Sequence, residues 1–296
     1  MALKYIILNK NKGKSIGNIL GMVKIENKGM NVHIIEIPNK KKKWIIKKIK
    51  KQIQDDDVIM LSNDLQEYKK YIPNKNIKKV QIKPYLLEDI IKFIIKNNKS
   101  NLKLEMQDLY FLCKECNIKI IEMLEFFLRR VRTINIITEN ISAYQKCIEK
   151  YPEEEAMNIT ISNNYRKSLK RAKWVINVDM KLEEIKRYTL RRDGIFIQLQ
   201  DEKILGLLGF EGIIIDDVEI DIAEEIKERY KKWGIGEMFC VKDLYESDWT
   251  CETTYYENVQ KMKKEQVILK NLIGINGIIE KEEFKNTKIS LTNTKN

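Results

Sequence analysis

The sequence predicts an α/β fold of two three-layer domains with mostly parallel sheets, and three observations predict it. Short runs dominated by Ile, Val and Leu recur along the chain, at Lys4–Leu8, Val32–Ile37, Val58–Leu61, Thr133–Thr138, Trp174–Val178 and Gly194–Leu199. Their length suits strands buried on both faces, as in parallel sheets. Segments with apolar residues three or four positions apart lie between them, so strand and helix alternate. The length, 296 residues, is that of two ordinary domains.

The elements follow in chain order. After the first strand, Ser15–Asn27 carries helical spacing. Lys42–Gln54 does so more clearly, with Ile45, Ile49 and Ile53 on one face. The acidic turn Asp55-Asp56-Asp57 precedes Val58–Leu61, and Lys79–Ile82 reads as a fourth strand. Tyr85–Lys96 is helical, with Leu86/Ile90/Ile94 and Leu87/Ile91/Ile95 stacked turn on turn. Residues 99–130 read as the connection between halves, where Asn117 caps a helix over Ile118–Val131. Thr133–Thr138, a helix over Ser142–Tyr151, a strand at Met157–Ile161, a short helix at Tyr165–Ala172 and Trp174–Val178 then repeat the βαβ rhythm. Strands at Gly194–Leu199 and Ile213–Ile215 follow. Asp221, with Glu224 three positions on, reads as the cap of a helix over Ile222–Trp233 that stops at Gly234. The expected domains are residues 1–116 and 117–280, both Rossmann-like, with a frayed polar tail over 281–296.

Composition narrows the class. Apolar residues make up 43% and charged residues 33%, which suits a globular chain. No apolar run has membrane-spanning length and the first residues lack a signal-peptide layout, so a cytoplasmic location is expected. Five cysteines, an odd number in a chain of this size, suggest reduced thiols. The first hundred residues hold 23 Lys, no Arg and 9 acids, whereas the remainder holds 32 basic and 34 acidic residues. A basic third of this kind fits a nucleic-acid or anionic surface. Codons for Lys, Asn and Ile made of A and T alone account for the same excess, and the missing Arg removes the usual bidentate phosphate reader.

The strand–helix–strand run beginning at Thr133, with Asn158–Asn164 (NITISNN), Arg166, Leu169, Ala172 and Val175–Asn177 (VIN), resembles the NAD(P)-binding domains of the shikimate dehydrogenase and glutamyl-tRNA reductase type. The resemblance covers residues 131–200. It implies that Asn163, Asn164 and Arg166 meet the adenosine ribose and that Arg166 selects NADP. The turn after Thr133–Thr138 departs from the pattern. It reads Glu139-Asn140-Ile141-Ser142, without the glycines that let main chain approach a pyrophosphate, and Glu139 adds negative charge there. Thr138, Asn140 and Ser142 would instead offer hydrogen bonds to a small ligand in a cleft between the domains.

Other motifs are fragments. Gly13-Lys14-Ser15 follows the first strand as in a phosphate-binding loop, but Leu8 stands where the first glycine belongs, and Asp64 ends Val58–Asp64 only loosely like a magnesium-side strand. Cys113-Lys114-Glu115-Cys116 has zinc or redox spacing without a second metal pair, and reads as small packed residues. His33, the one histidine, sits in a strand pattern. Asp217, Glu219 and Asp221 alternate with apolar residues, as on a solvated strand face or a cation site. Gly206, Gly209 and Gly212 mark a bend. Lys40–Lys51, with Trp44, fits a helix packed through its Ile stripe with lysines outward, or a polyanion-binding face. Arg129, Arg130 and Arg132, and Arg187, Arg191 and Arg192, form smaller clusters. The expected function is a ligand-binding or protein-interaction module without dinucleotide catalysis. An NADP-linked oxidoreductase and a nucleic-acid binder are the alternatives.

Overall fold

The computed structural model describes residues 2–9, 21–27, 30–54, 57–73, 81–98, 103–152, 158–253 and 267–286. The chain divides into two compact units, residues 1–80 with 220–268 and residues 81–219 with 269–296. Neither is a single continuous segment, in contrast to a cut at residue 116. Strands β1 (Ala2–Asn9), β2 (Gly21–Asn27), β3 (Met30–Pro38) and β4 (Val58–Leu61) come first, with helix α1 (Lys42–Gln52) before β4. Helix α2 (Leu87–Asn97), β5 (Asp108–Leu112), α3 (Ile118–Leu128), β6 (Thr133–Ile137), α4 (Ile141–Ile148) and β7 (Ile159–Ser162) follow. Next come β8 (Trp174–Asn177), α5 (Leu182–Ile185), β9 (Ile195–Gln198), β10 (Ile213–Ile215) and β11 (Asp217–Ile222). Helices α6 (Glu224–Lys232) and α7 (Val241–Thr253), strands β12 (Val267–Gly274) and β13 (Gly277–Ile278), and helix α8 (Lys281–Asn286) complete the chain.

The first unit holds a four-stranded sheet in the order β2-β3-β1-β4. Strand β1 runs parallel to β3 and β4, while β2 is antiparallel to β3. Alternation divides its side chains between two faces. Ile6, Ile35 and Ile59 pack with Ile45 and Ile49 of α1, and with Leu65 and Tyr68 of the 3₁₀ segment Asn63–Tyr71. On the other face, Tyr5 meets Phe239 edge-on at 5.4 Å, and Met60 meets Ser247 of α7. This is a three-layer arrangement. The end of Ser15–Asn27 corrects the helix expected there: Gly21–Asn27 is a strand, and residues 10–20, including Gly13-Lys14-Ser15, lie outside the described residues. So do Asp55, Asp56 and residues 74–80. Ile82 has helical dihedrals rather than forming part of a strand over Lys79–Ile82.

The second unit holds a six-stranded sheet in the order β10-β9-β8-β5-β6-β7, parallel throughout. Counted along the chain, that order is 3-2-1-4-5-6, a Rossmann-like doubly wound sheet. Its first and central strand is β5. The sequence pattern puts these residues in a connection and the first strand of this half at Thr133. The segment DLYFL is short and mixes an acid with aromatics, which obscures its strand character. On one face Leu112, Ile137, Val175 and Phe196 pack with Leu169, Met180, Ile185 and Tyr188. On the other, Phe111 meets Phe127 of α3 at 6.0 Å. Asn117 caps α3 as expected, accepting from Ile120 N at 3.2 Å.

Three further expectations change. Residues 165–171 form successive turns, not a helix. Ala223, not Asp221, is the N-cap of α6, because Asp221 accepts from its neighbour Ile222 and pairs with Lys227 at 2.8 Å. Gly234 does stop that helix, at φ 69°. The expected frayed tail begins with α8, where Phe284 is fully buried against Phe93. Gly212 and Gly194 touch so closely that a Cβ on Gly212 would stand 1.9 Å from the Gly194 carbonyl, so the second unit needs glycine there. Among the described residues no helix is long and apolar enough to cross a membrane.

Most buried polar groups are paired in both units. Lys83, 2% exposed, donates to the Gln200 and Asp216 carbonyls at 2.5 and 3.0 Å, just beyond β9 and β10. Trp174 Nε1 donates to Gln107 at 3.0 Å. In the first unit Lys4 forms a buried ion pair with Asp57, which also accepts from Ala2 N at 3.0 Å. Lys4→Met should cost about 3–5 kcal/mol by stranding that carboxylate, and Lys4→Met with Asp57→Leu should recover most of the loss in urea denaturation. Asp108, at the start of β5, pairs with Arg132 and accepts from Thr133 at 2.7 Å. Burial raises its pKa, but the Arg132 and Thr133 hydrogen bonds and the Arg132 charge outweigh that and hold it below the ordinary value. The stability this confers is present above the unfolded carboxyl pKa of about 4 and is lost as pH falls through the lower folded value. Asp108→Asn should therefore flatten the acid limb of a stability–pH curve; an unchanged limb would refute the assignment.

Candidate functional site

In open α/β sheets, ligands bind beyond the carboxyl ends of the strands, where connections depart in opposite directions. In the second unit this point lies between β5 and β8. The loop after β5 is Cys113-Lys114-Glu115-Cys116-Asn117, leading into α3. This is where a dinucleotide loop would sit, and it too has no glycine. Its two outward main-chain donors are taken. Lys114 N and Glu115 N donate to the two carboxylate oxygens of Asp179, at 2.5 and 2.9 Å. Asp179 follows β8, whose last residue, the buried Asn177, bonds the Met180 carbonyl at 2.8 Å and Gln198 at 2.7 Å. Those bonds fix the turn that presents Asp179. Burial raises the Asp179 pKa above its usual value, opposed by the two amide hydrogen bonds.

The remaining charges around this point are compensated within the unit. Lys114 Nζ pairs with Glu184 at 2.7 Å, and Glu139 accepts from the Tyr165 hydroxyl and lies 3.6 Å from Arg187. Tyr165 and Tyr188 stack at 4.7 Å. Lys114, Glu139, Tyr165, Met180, Glu184 and Tyr188 leave a pocket of about 40 Å³. Ligand sites measure roughly 300–1,000 Å³. Burial pushes the Tyr188 phenol up to about 12.

The sequence-derived residues sit further along this edge. Thr138 is buried at the end of β6, and its hydroxyl accepts from Asn140 N at 3.0 Å. Ser142 is exposed in the first turn of α4. Asn163 and Asn164 follow β7, and Asn164 accepts from Arg166 N at 3.1 Å and Lys167 N at 3.0 Å, closing its own turn. The Glu139–Tyr165 bond brings the two loops side by side. The ribose-contacting residue of a dinucleotide sheet belongs at the end of the second strand. Here that strand is β6, which is followed by Thr138-Glu139. Arg166 lies one strand further out, beyond the third.

The first sheet has the corresponding place between β1 and β4, and there the surface is open. Leu8, Ser62, Asn63, Asp64, Lys231 and Glu237 line a pocket of about 500 Å³. Ser62 directly follows β4 with its main chain tied to Ile6, its N–H donating to that carbonyl at 3.0 Å. Ser62 is 2% exposed, and its buried hydroxyl has no hydrogen-bond partner among the described residues. It caps nothing, although it immediately precedes the 3₁₀ segment. The sequence motif points to neighbouring Asp64, with Ser62 only a polar residue that loosens it; the place of Ser62 after a buried run is the signal that marks it.

The other motifs resolve into local structure. Glu219 accepts from Asn271 at 2.6 Å and lies 3.7 Å from Lys270, and Asp221 pairs with Lys227, so two of the three β11 carboxylates have cationic partners. No cluster of three metal-ligating side chains occurs among the described residues. His33 lies in β3, its pKa lowered by burial, Lys4 and Lys24. Helix α1 buries Ile45 and Ile49, with Lys40 and Lys48 over the Trp44 ring at 4.8 and 5.1 Å.

No protein-family model and no curated protein matches the chain. Among solved structures, it is similar to the dehydroquinate dehydratase and shikimate dehydrogenase from S. pombe, at 9% identity and a TM-score of 0.25 over 67% of this chain. The match spans 42% of that protein's length.

Asp179→Ala removes two charge-assisted bonds, but Lys114 and Glu115 are exposed and water replaces the acceptor in part. The loss should be about 1–2 kcal/mol by urea denaturation. A change below a few tenths would show that the carboxylate does not hold the loop.

Proposed function

We propose that this chain is a Rossmann-like ligand-binding module that works without a dinucleotide. The single observation that carries the reading is the buried Ser62 hydroxyl in the wall of the 500 Å³ pocket. A buried polar group without a partner costs roughly 1–3 kcal/mol, and a bound molecule that meets it recovers that energy. Asn63 adds an amide, Asp64 and Glu237 add acceptors and Lys231 adds a donor, so the pocket suits a small molecule rich in hydroxyl groups. The contacts of Asp179, Glu184 and Tyr165 at the second sheet support the other half of the reading, because they occupy the donors and the cation a pyrophosphate would need.

Thermal-shift measurements should show no stabilisation of the full chain by NAD or NADP at millimolar concentration. A panel of small sugars and polyols should yield stabilising members whose effect disappears in Ser62→Ala, with the Tm of the free variant preserved. Stabilisation by NADP that is lost in Arg166→Ala would overturn the reading in favour of an oxidoreductase.

A further inference from the structure

The cysteine pair suggested by sequence spacing is not the pair the fold assembles. Cys113 is fully buried at the end of β5, and burial drives its thiol strongly upward. Cys116, three residues on, faces Cys147 of α4 instead, with the two sulfurs 3.4 Å apart and both side chains partly exposed. A disulfide needs about 2.05 Å, so side-chain rotation supplies most of the remaining approach. The main chain is already held for it. Tyr144, one turn before Cys147 on α4, donates its hydroxyl to the Glu115 carbonyl at 2.6 Å. Helix and loop are thus docked at the residue next to Cys116.

We propose that Cys116 and Cys147 form an oxidisable dithiol, closed to a disulfide by a hydroperoxide. One sulfur attacks the peroxide, whose O–O bond breaks; an S–O bond forms, the thiol proton passes to the departing oxygen, and an alcohol leaves, or water where the oxidant is hydrogen peroxide. The second sulfur then attacks that sulfenic sulfur, the S–O bond breaks, the S–S bond forms and water leaves. The pair loses two electrons to the peroxide. The product fastens to α4 a loop that Asp179 already holds from the other side. Burial and the neighbouring thiol push Cys116 up to about 11. The thiolate is therefore scarce at neutral pH, and closure through Cys116 accelerates as pH rises toward that value.

The test is to treat the full reduced chain with hydrogen peroxide, then alkylate it and map its peptides by mass. The expected first product is an intramolecular Cys116–Cys147 link, reversed by dithiothreitol, that forms faster at pH 9 than at pH 7. It should raise Tm on the order of 5 °C, and both link and shift should vanish in Cys116→Ser and in Cys147→Ser. Closure of a Cys113–Cys116 link, or of any pair excluding Cys147, would overturn the proposal. So would free, alkylatable thiols at both positions after oxidation of the exposed Cys240.

Discussion

Where a parallel sheet hands its central strand to the following helix, main-chain N–H groups point outward and need an acceptor. In the second unit those donors belong to Lys114 and Glu115, and Asp179 from the neighbouring loop satisfies both. The rest of that edge follows from this contact. Asn177 must turn the chain sharply to deliver the carboxylate, which explains why a fully buried amide ends β8. With the anion supplied internally, Lys114 is left to Glu184, and Glu139 to Tyr165 and Arg187. A diphosphate entering there would meet three carboxylates and displace two hydrogen bonds.

The two sheets therefore treat equivalent positions in opposite ways. One switch point is laced by its own side chains and retains about 40 Å³; the other keeps about 500 Å³ beside a hydroxyl that nothing described satisfies. Proteins pair nearly all buried polar atoms. Two buried hydroxyls have no partner among the described residues, Ser62 and Tyr188, one at each switch point, and Ser62 is the one beside the larger cavity. The first unit, read from sequence mainly as a lysine-rich body, thereby carries the stronger binding geometry. Its lysines project from α1 because Ile45 and Ile49 face the sheet.

Much of this architecture was legible in the residues. The Ile stripe of α1, the stacked Leu/Ile pattern of α2, the buried runs of β1, β3 and β4 and the glycine stop after α6 are local signals, and the structure has each of them. Strands β2, β5, β12 and β13 were not legible, the first two for different reasons. The strand β2 follows residues whose apolar spacing suits a helix, and only pairing with β3 reveals it. The strand β5 is five mixed residues whose burial depends on β6 and β8 lying on either side. Missing it shifts the strand count by one, which is why Arg166 was set beside the ribose. The Asp179 and Cys147 contacts join residues 65 and 31 positions apart, a separation that no motif spacing encodes.

Absence of glycine is by itself a weak argument against a dinucleotide, since side chains can point away from a phosphate while amides still face it. The internal carboxylate is a stronger one, and its size can be judged. Two charge-assisted bonds to an acceptor fixed in place, on exposed donors, are worth about 1–2 kcal/mol together, which a competing phosphate must supply before it gains anything. At 1.4 kcal/mol per decade, that lowers affinity on the order of 10-fold. A cofactor that would otherwise bind at micromolar concentration is moved to roughly 10 μM. Repulsion from Glu139 and Glu184 acts in the same direction, so occupancy at this sheet would require contacts that the loop after β5 does not offer.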